Sequence, residues 1–255
     1  MFQRTDLDCA PIRASVEAVV DTRLGTVIGD AAGVRVSTVE HLMAVLCGLG
    51  VDNALVRLDG PEVPIMDGSA EPFVAMVDRA GRRAQGVMRP FLKLLRTVQV
   101  SSGDKTASLA PSDGFEMAVV ISFPSQAIGR QTLELSLHEG SFRSELAEAR
   151  TFGFLHEVEA LRAAGLARGG SLDNVVVIDG DKIVNPEGLR RPDEFVRHKM
   201  LDAFGDLALL GRPLLCRYEA RFPGHELNNA LGRALLADPA AWTLVDLATP
   251  MARTG

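Results

Sequence analysis

Glu194-Phe195-Val196-Arg197-His198-Lys199-Met200-Leu201-Asp202-Ala203-Phe204-Gly205-Asp206-Leu207 is the stretch from which the rest of the chain can be read. Taken as a helix, it sets His198 and Asp202 four residues apart, one above the other on a single face. Asp206 extends that line by another turn. A neutral imidazole and a carboxylate at this spacing can share one divalent metal, and the further carboxylate can orient a ligand from behind. The competing reading is a helix with a buried histidine and a solvated aspartate, since short motifs often recur by chance. A metal site needs a third ligand from elsewhere in the chain.

That ligand is suggested by Val39-Glu40-His41-Leu42-Met43, which shares the pattern Val-x-His-x-Met with Val196 to Met200. Both stretches read as apolar helices, and both run on to a Leu-Gly ending, at Leu49-Gly50 and Leu210-Gly211. The pattern suggests two halves on a similar strand-and-helix-pair plan, each contributing one histidine; coincidence is the alternative. His41, His198 and Asp202 together offer two nitrogens and an oxygen with one open position, the usual pattern of a catalytic zinc site. Zinc lowers the pKa of its water to about 7 and polarises a carbonyl, which suits amide hydrolysis. Glu40, about 100° around the helix from His41, can reach the same water as its base. Yet Ser37-Thr38-Val39-Glu40 also reads as a capping box, in which Glu40 would bond the N–H of Ser37. His225, at a loop-to-helix start in Phe222-Pro223-Gly224-His225-Glu226-Leu227-Asn228-Asn229, can protonate a leaving amine or stabilise an oxyanion. By itself it reads first as a surface histidine. His138 and His156 have no such company and read as structural or solvent-facing.

Composition sets the class. The 255 residues are 47% hydrophobic and 24% charged, ordinary for a globular protein with a large core. A net charge of -6 carries no basic footprint for nucleic acid, though it leaves room for a local basic pocket that takes a phosphorylated ligand. The opening residues lack the apolar core of a signal peptide, and no apolar run approaches bilayer length. Cys9, Cys47 and Cys216 are odd in number and far apart, so a reducing, cytoplasmic setting is expected.

Along the chain, Ser37 to Leu46 reads as a helix closed by Gly48, and Asn53 to Asp59 as a strand broken by Gly60-Pro61. Pro64 to Ser69 is a turn into a second helix, with Ser69 as N-cap and Gly81 as the stop. Arg82 to Pro90 is polar and ends in proline, which places a boundary between units 1–86 and 87–255. Leu92–Val100, Ala107–Leu109, Glu116–Phe123 and Gln131–Leu137 read as strands. Phe142–Arg150 and Phe154–Ala164 read as helices, with a flexible loop at Gly169-Gly170-Ser171. Val175 to Val184 reads as a hairpin around Asp179-Gly180. The opening helix follows, then a strand Leu214–Phe222 and a closing helix from Leu227 to about Leu236.

Five motifs in order carry a family resemblance: Ser37-Thr38-Val39-Glu40-His41-Leu42, Pro64-Ile65-Met66-Asp67-Gly68-Ser69, Ala149-Arg150-Thr151-Phe152-Gly153-Phe154, Phe195 to Asp202, and Gly224-His225-Glu226-Leu227-Asn228-Asn229. Over nearly its whole length the chain resembles the UDP-3-O-acyl-N-acetylglucosamine deacetylases, zinc amidases that commit the precursor to lipid A synthesis in Gram-negative bacteria. The resemblance implies an α+β fold of two similar domains, each a sheet layered with a helix pair, with the active site at their interface. It implies Zn2+ on His41, His198 and Asp202, with Glu40 as general base. His225 would be the acid or oxyanion partner, oriented by Asp206, and Thr151 would hydrogen-bond the carbonyl oxygen. Lys199 would meet the UDP phosphates, while Phe152 and the segment after it through Gly170 would wall the acyl passage.

The family begins with further strands, carrying a Gly-x-Gly-x-His turn, ahead of the segment that Phe2 to Leu7 resembles. Their absence here predicts an incomplete first sheet, with Val56 and Leu58 exposed and an open strand edge through which an otherwise monomeric protein can associate. The expected partner is a small acylated UDP-sugar, with no nucleic acid and no membrane span. Two rival readings stand beside this one: a truncated binder that holds zinc and the UDP-sugar without turnover, and an amidase for another acylated sugar nucleotide.

Overall fold

The computed structural model of the chain describes residues 1–157 and 171–247. Four helices carry the packing: α1 (Glu40–Gly48), α2 (Glu71–Ala80), α3 (Glu194–Ala208) and α4 (His225–Leu236). In the first part of the chain, β1 (Phe2–Arg4), β2 (Val19–Asp21), β3 (Val27–Gly29), β4 (Arg35–Val36) and β5 (Val56–Leu58) are short. β1 pairs with β5 in parallel, and β2, β3 and β4 form an antiparallel sheet. A seven-stranded sheet follows, built from β6 (Arg89–Leu94), β7 (Val98–Ser102), β8 (Lys105–Pro111), β9 (Phe115–Ser122), β10 (Arg130–Ser136), β14 (Leu214–Arg221) and β15 (Trp242–Leu247). Between β10 and β14, a third small sheet holds β11 (Phe152–Phe154), β12 (Val176–Asp179) and β13 (Lys182–Ile183). The fold is α+β. No helix among the described residues is long and apolar enough to cross a membrane.

Period-2 patterning explains the large sheet. Met117, Val119 and Ile121 of β9, with Ala107 and Leu109 of β8 and Tyr218 and Ala220 of β14, are buried while their neighbours are not. Against this sheet lie α3, over β9 and β10, and α4, over β7 and β8. Every residue of α3 except Lys199 is buried. A helix covered on all sides sits at the centre of its fold. Its apolar residues Phe195, Met200, Leu201 and Phe204 join Leu42 and Val45 of α1 in one continuous core. Each such side chain contributes about 1.5–3 kcal/mol when fully buried.

Two stretches depart from the expected reading, each because a backbone group finds a partner outside the local pattern. Leu92 to Val100 is two strands, because the N–H groups of Leu95 and Arg96 both turn to the carbonyl of Ala241. Phe142 to Arg150 is a single π-helical stretch, Phe142–Leu146. Beyond it the carbonyls of Ala147 and Ala149 accept from Ala70 N–H and from the His198 ring, and cannot continue a helix. Phe154 ends strand β11, and the helix expected from Phe154 begins one residue later, at Leu155; its part after residue 157 lies outside the described residues. Val56 and Leu58, expected to be exposed, are half-buried against the core.

Backbone contacts stitch the first part of the chain to the second. Thr151 N–H donates to Gly68 O at 2.8 Å, and Ala70 N–H to Ala147 O at 2.9 Å. At the centre, Gly205 of α3 faces the start of α1, where a Cβ would come within 2.0 Å of the Glu40 carbonyl oxygen. The two helices touch backbone to backbone, which only glycine allows. Gly205→Ala is therefore expected to force α1 and α3 apart, at a cost of roughly 1–3 kcal/mol or more. A thermal melt should register this as a Tm lower by several degrees; an unchanged Tm would show that the contact is not needed.

Candidate functional site

The approach of α1 to α3 brings together the two histidines separated by most of the chain. His41 lies one residue inside α1, and His198 and Asp202 are one turn apart on α3; all three are buried. Their donor atoms lie within 4.8 Å of one another and could hold a metal ion. Asp202 Oδ1 is 3.4 Å from His41 Nε2 and 3.3 Å from His198 Nε2, and the two rings stand edge to face with centroids 4.9 Å apart. His198 Nδ1 lies 3.0 Å from the Ala149 carbonyl. A carbonyl only accepts, so Nδ1 carries the proton and the Nε2 lone pair faces Asp202. Burial holds the His198 ring at about 4, so it is neutral near pH 7. For Asp202 burial opposes ionisation, but His198 and the Lys199 ammonium outweigh it and hold the carboxylate well below its usual range.

Beside this cluster sit a carboxylate and a second imidazole. Glu40 does not form the expected capping box. Its Oε2 accepts the backbone N–H of Thr26 at 3.0 Å, and Ser37 N–H goes instead to the Pro61 carbonyl. Its Oε1 lies 3.9 Å from His225 Nε2. Burial raises the Glu40 pKa, with His225 and His41 opposing. The other nitrogen of His225, Nδ1, meets Asp206 Oδ2 at 2.9 Å. Burial disfavours a charged His225 ring, yet the Asp206 carboxylate, with Glu40 beyond it, lifts its pKa to about 10. Asp206 in turn accepts from Asn228 Nδ2 at 2.8 Å and from the Thr26 hydroxyl at 2.5 Å, and Tyr218 OH donates to Asn228 at 2.7 Å.

The other expected site residues fall around this centre. Lys199, the one part-exposed residue of α3, turns inward and donates to Asp202 Oδ2 at 2.6 Å; its ammonium also lies 5.5 Å from the centre of the Phe152 ring. Phe152 packs edge-on against Phe195 and, at 6.3 Å between centroids, against His198. Thr151 lies two residues after Ala149 and is held by its backbone, through Gly68 O on one side and Val176 N–H on the other. Between them Arg150 is buried and pairs with Glu194 at 2.9 Å, which ties this segment to the start of α3. Gly170 lies outside the described residues, as does most of the segment expected to wall an acyl passage.

Four residues of the cluster escaped the sequence reading. Asn228 and Tyr218 support Asp206, the Ala149 carbonyl sets the His198 tautomer, and Thr26 touches both Glu40 and Asp206. Asn228 carried a legible signal, three residues after His225 on one helix face. A threonine in a short loop and a main-chain carbonyl carry none.

The chain matches the family described as UDP-3-O-acyl N-acetylglycosamine deacetylase over residues 1–237. It is 61% identical over 254 residues to the UDP-3-O-acyl-N-acetylglucosamine deacetylase of Phenylobacterium zucineum, across 99% of this chain and 87% of that protein. The enzymes of the same name from Myxococcus xanthus and Neisseria meningitidis are 50% identical over 246 residues and 46% identical over 252. These alignments cover 96% and 97% of this chain, and 78% and 82% of the relatives. Likeness of this extent takes in the helices α1, α3 and α4 with the whole buried cluster, and the chain belongs to the UDP-3-O-acyl N-acetylglycosamine deacetylase family.

Proposed function

We propose that this protein is a zinc-dependent amidohydrolase that removes the acetyl group from the 2-acetamido nitrogen of UDP-3-O-acyl-N-acetylglucosamine, releasing acetate, as a cytoplasmic step of lipid A synthesis. The observation that carries this reading is a buried His-His-Asp group with an acid–base pair beside it, Glu40 Oε1 and His225 Nε2 lying 3.9 Å apart. The donor set suits zinc: two imidazole nitrogens, one carboxylate oxygen and no sulfur, as in catalytic sites that keep a position open. Held by His41, His198 and Asp202, zinc would supply a Lewis acid for the amide carbonyl and lower the pKa of water.

The remaining work falls to the side chains. Glu40, raised in pKa by burial, takes a proton from the attacking water as its oxygen adds to the carbonyl carbon. His225, kept cationic by Asp206, stabilises the developing oxyanion and then protonates the nitrogen as the C–N bond breaks, leaving acetate and the free amine. Thr151 hydrogen-bonds the carbonyl oxygen, Lys199 meets the phosphates of UDP, and Phe152 with the segment through Gly170 lines the path of the acyl chain. We place the boundary of two α+β units between residues 1–86 and 87–255, meeting at this centre, in a protein that acts as a monomer.

Acetate release from the UDP-sugar, with metal analysis of the same sample, tests the reading. About one zinc per chain is expected, with activity lost to a chelator. Activity that survives in zinc-free protein would overturn the metal's role, and zinc-loaded protein that releases no acetate would overturn the substrate. Glu40→Gln should lower kcat by roughly 10²–10⁴ while zinc content is kept; a merely structural Glu40 would leave kcat intact.

The pH profile tests His225. An acid must be protonated, so activity that depends on His225 falls as pH rises through its pKa. Asp206 raises that pKa to about 10. Asp206→Asn removes the negative charge, so the alkaline limb should move to lower pH, toward the ordinary histidine value of about 6.5. A limb that does not move would exclude His225 as the acid.

A further inference from the structure

Thr26 sits in the loop just before β3, is 1% exposed, and uses all three of its polar groups within the site. Its backbone N–H donates to Glu40 Oε2 at 3.0 Å. Its hydroxyl donates to Asp206 Oδ1 at 2.5 Å. Its carbonyl accepts the N–H of Val39, the residue before Glu40, at 3.2 Å. The loop also presses on Glu40 from the side, where a Cβ on Gly25 would come within 2.8 Å of Oε1. Glu40 belongs to α1 and Asp206 to α3, and one small residue therefore spans the two carboxylates.

Each bond removes a freedom that matters for proton transfer. A glutamate side chain rotates about three bonds, and the Thr26 N–H fixes which carboxylate oxygen is used up. Oε1 is left facing His225 Nε2 at 3.9 Å. Asp206 must present Oδ2 to His225 Nδ1, and Asn228 also donates to Oδ2. Without a donor on Oδ1 the carboxylate could turn about its terminal bond, and the imidazole would turn with it. The Thr26 hydroxyl has a single proton and directs it to Oδ1.

We propose that Thr26 is a positioning residue for the acid–base pair: its N–H sets the Glu40 carboxylate and its hydroxyl, acting through Asp206, sets the His225 ring. The inference rests on the roles proposed above for Glu40 and His225. It concerns orientation alone, since Thr26 bonds neither imidazole of the metal group. Groups that orient an active-site residue from behind are worth roughly 10–100-fold in activity.

Thr26→Val keeps the shape of the side chain and the backbone N–H while removing the hydroxyl. It should lower kcat for acetate release by roughly 10–100-fold, with KM and zinc content little changed, and Thr26→Ser should restore most of the loss. In an Asp206→Asn background, Thr26→Val should cost no more than about twofold further, because the hydroxyl acts through that carboxylate. Wild-type kcat in Thr26→Val, a loss carried wholly by KM, no rescue by serine, or a full additional loss on Asp206→Asn would each overturn the proposal. If the valine variant does not fold, Thr26→Ala removes the same hydroxyl and is read in the same way. One measurement stands apart from turnover: the Nδ1–H proton signal of His225 in labelled protein should move in Thr26→Val and return in Thr26→Ser. An unmoved signal overturns the positioning role even in active protein. A signal that moves in Thr26→Val and returns in Thr26→Ser, when even the wild type releases no acetate, would sustain the geometry and reject the proposed reaction.

Discussion

The backbone contact between Gly205 and Glu40 is the constraint on which the site depends. Two helices can approach this closely only where one of them presents no side chain, and here that residue lies three after Asp202 and one before Asp206. The place where α3 accepts α1 is thereby set to within a residue. His41 is delivered to His198 and Asp202, and Glu40 to the side of His225, by the same crossing. A longer separation between helix axes would leave the ligands of the two halves too far apart to share an ion.

Burial then gives each polar group its character. Carboxylates, imidazoles and an ammonium, drawn out of water, exert on one another forces that solvent would otherwise screen. His198 is kept neutral by burial while His225, with Asp206 against it, is kept charged. Two histidines of one buried cluster are thus driven to opposite protonation states, one suited to hold a cation and the other to give up a proton. Such groups would cost the fold heavily if unpaired. Around the site they are paired: Arg150 with Glu194, Lys199 with Asp202, and Thr26, Asn228 and His225 with Asp206.

Because Ala147 and Ala149 spend their carbonyls on Ala70 and on the His198 ring, the segment before Thr151 stops being a helix where it meets α3. The same choice that ends a helix orients a candidate metal ligand. The second part of the chain is likewise shaped by Ala241, whose carbonyl draws off Leu95 and Arg96 and divides what would be one strand into two.

Much of this was legible in the residues alone. The period that puts His198, Asp202 and Asp206 on one face is a property of any helix, and the repeated Val-x-His-x-Met pattern pointed to His41 as the third ligand. Alternating strands, the glycine stop of α2 and the Asp179-Gly180 hairpin are local signals, written within a few residues of where they act. What sequence could not settle were contests between partners distant in the chain. Glu40 had two local readings, with a strong case for the helix cap, and only the placement of Thr26, fourteen residues earlier, sends its carboxylate into the site. The tautomer of His198 waits on a carbonyl 49 residues away, and the setting of Asp206 on a hydroxyl 180 residues away. Periodicity reports which face of an element is apolar. Which polar group meets which is decided only when the elements pack, because every buried donor and acceptor must then find a partner within about 3 Å.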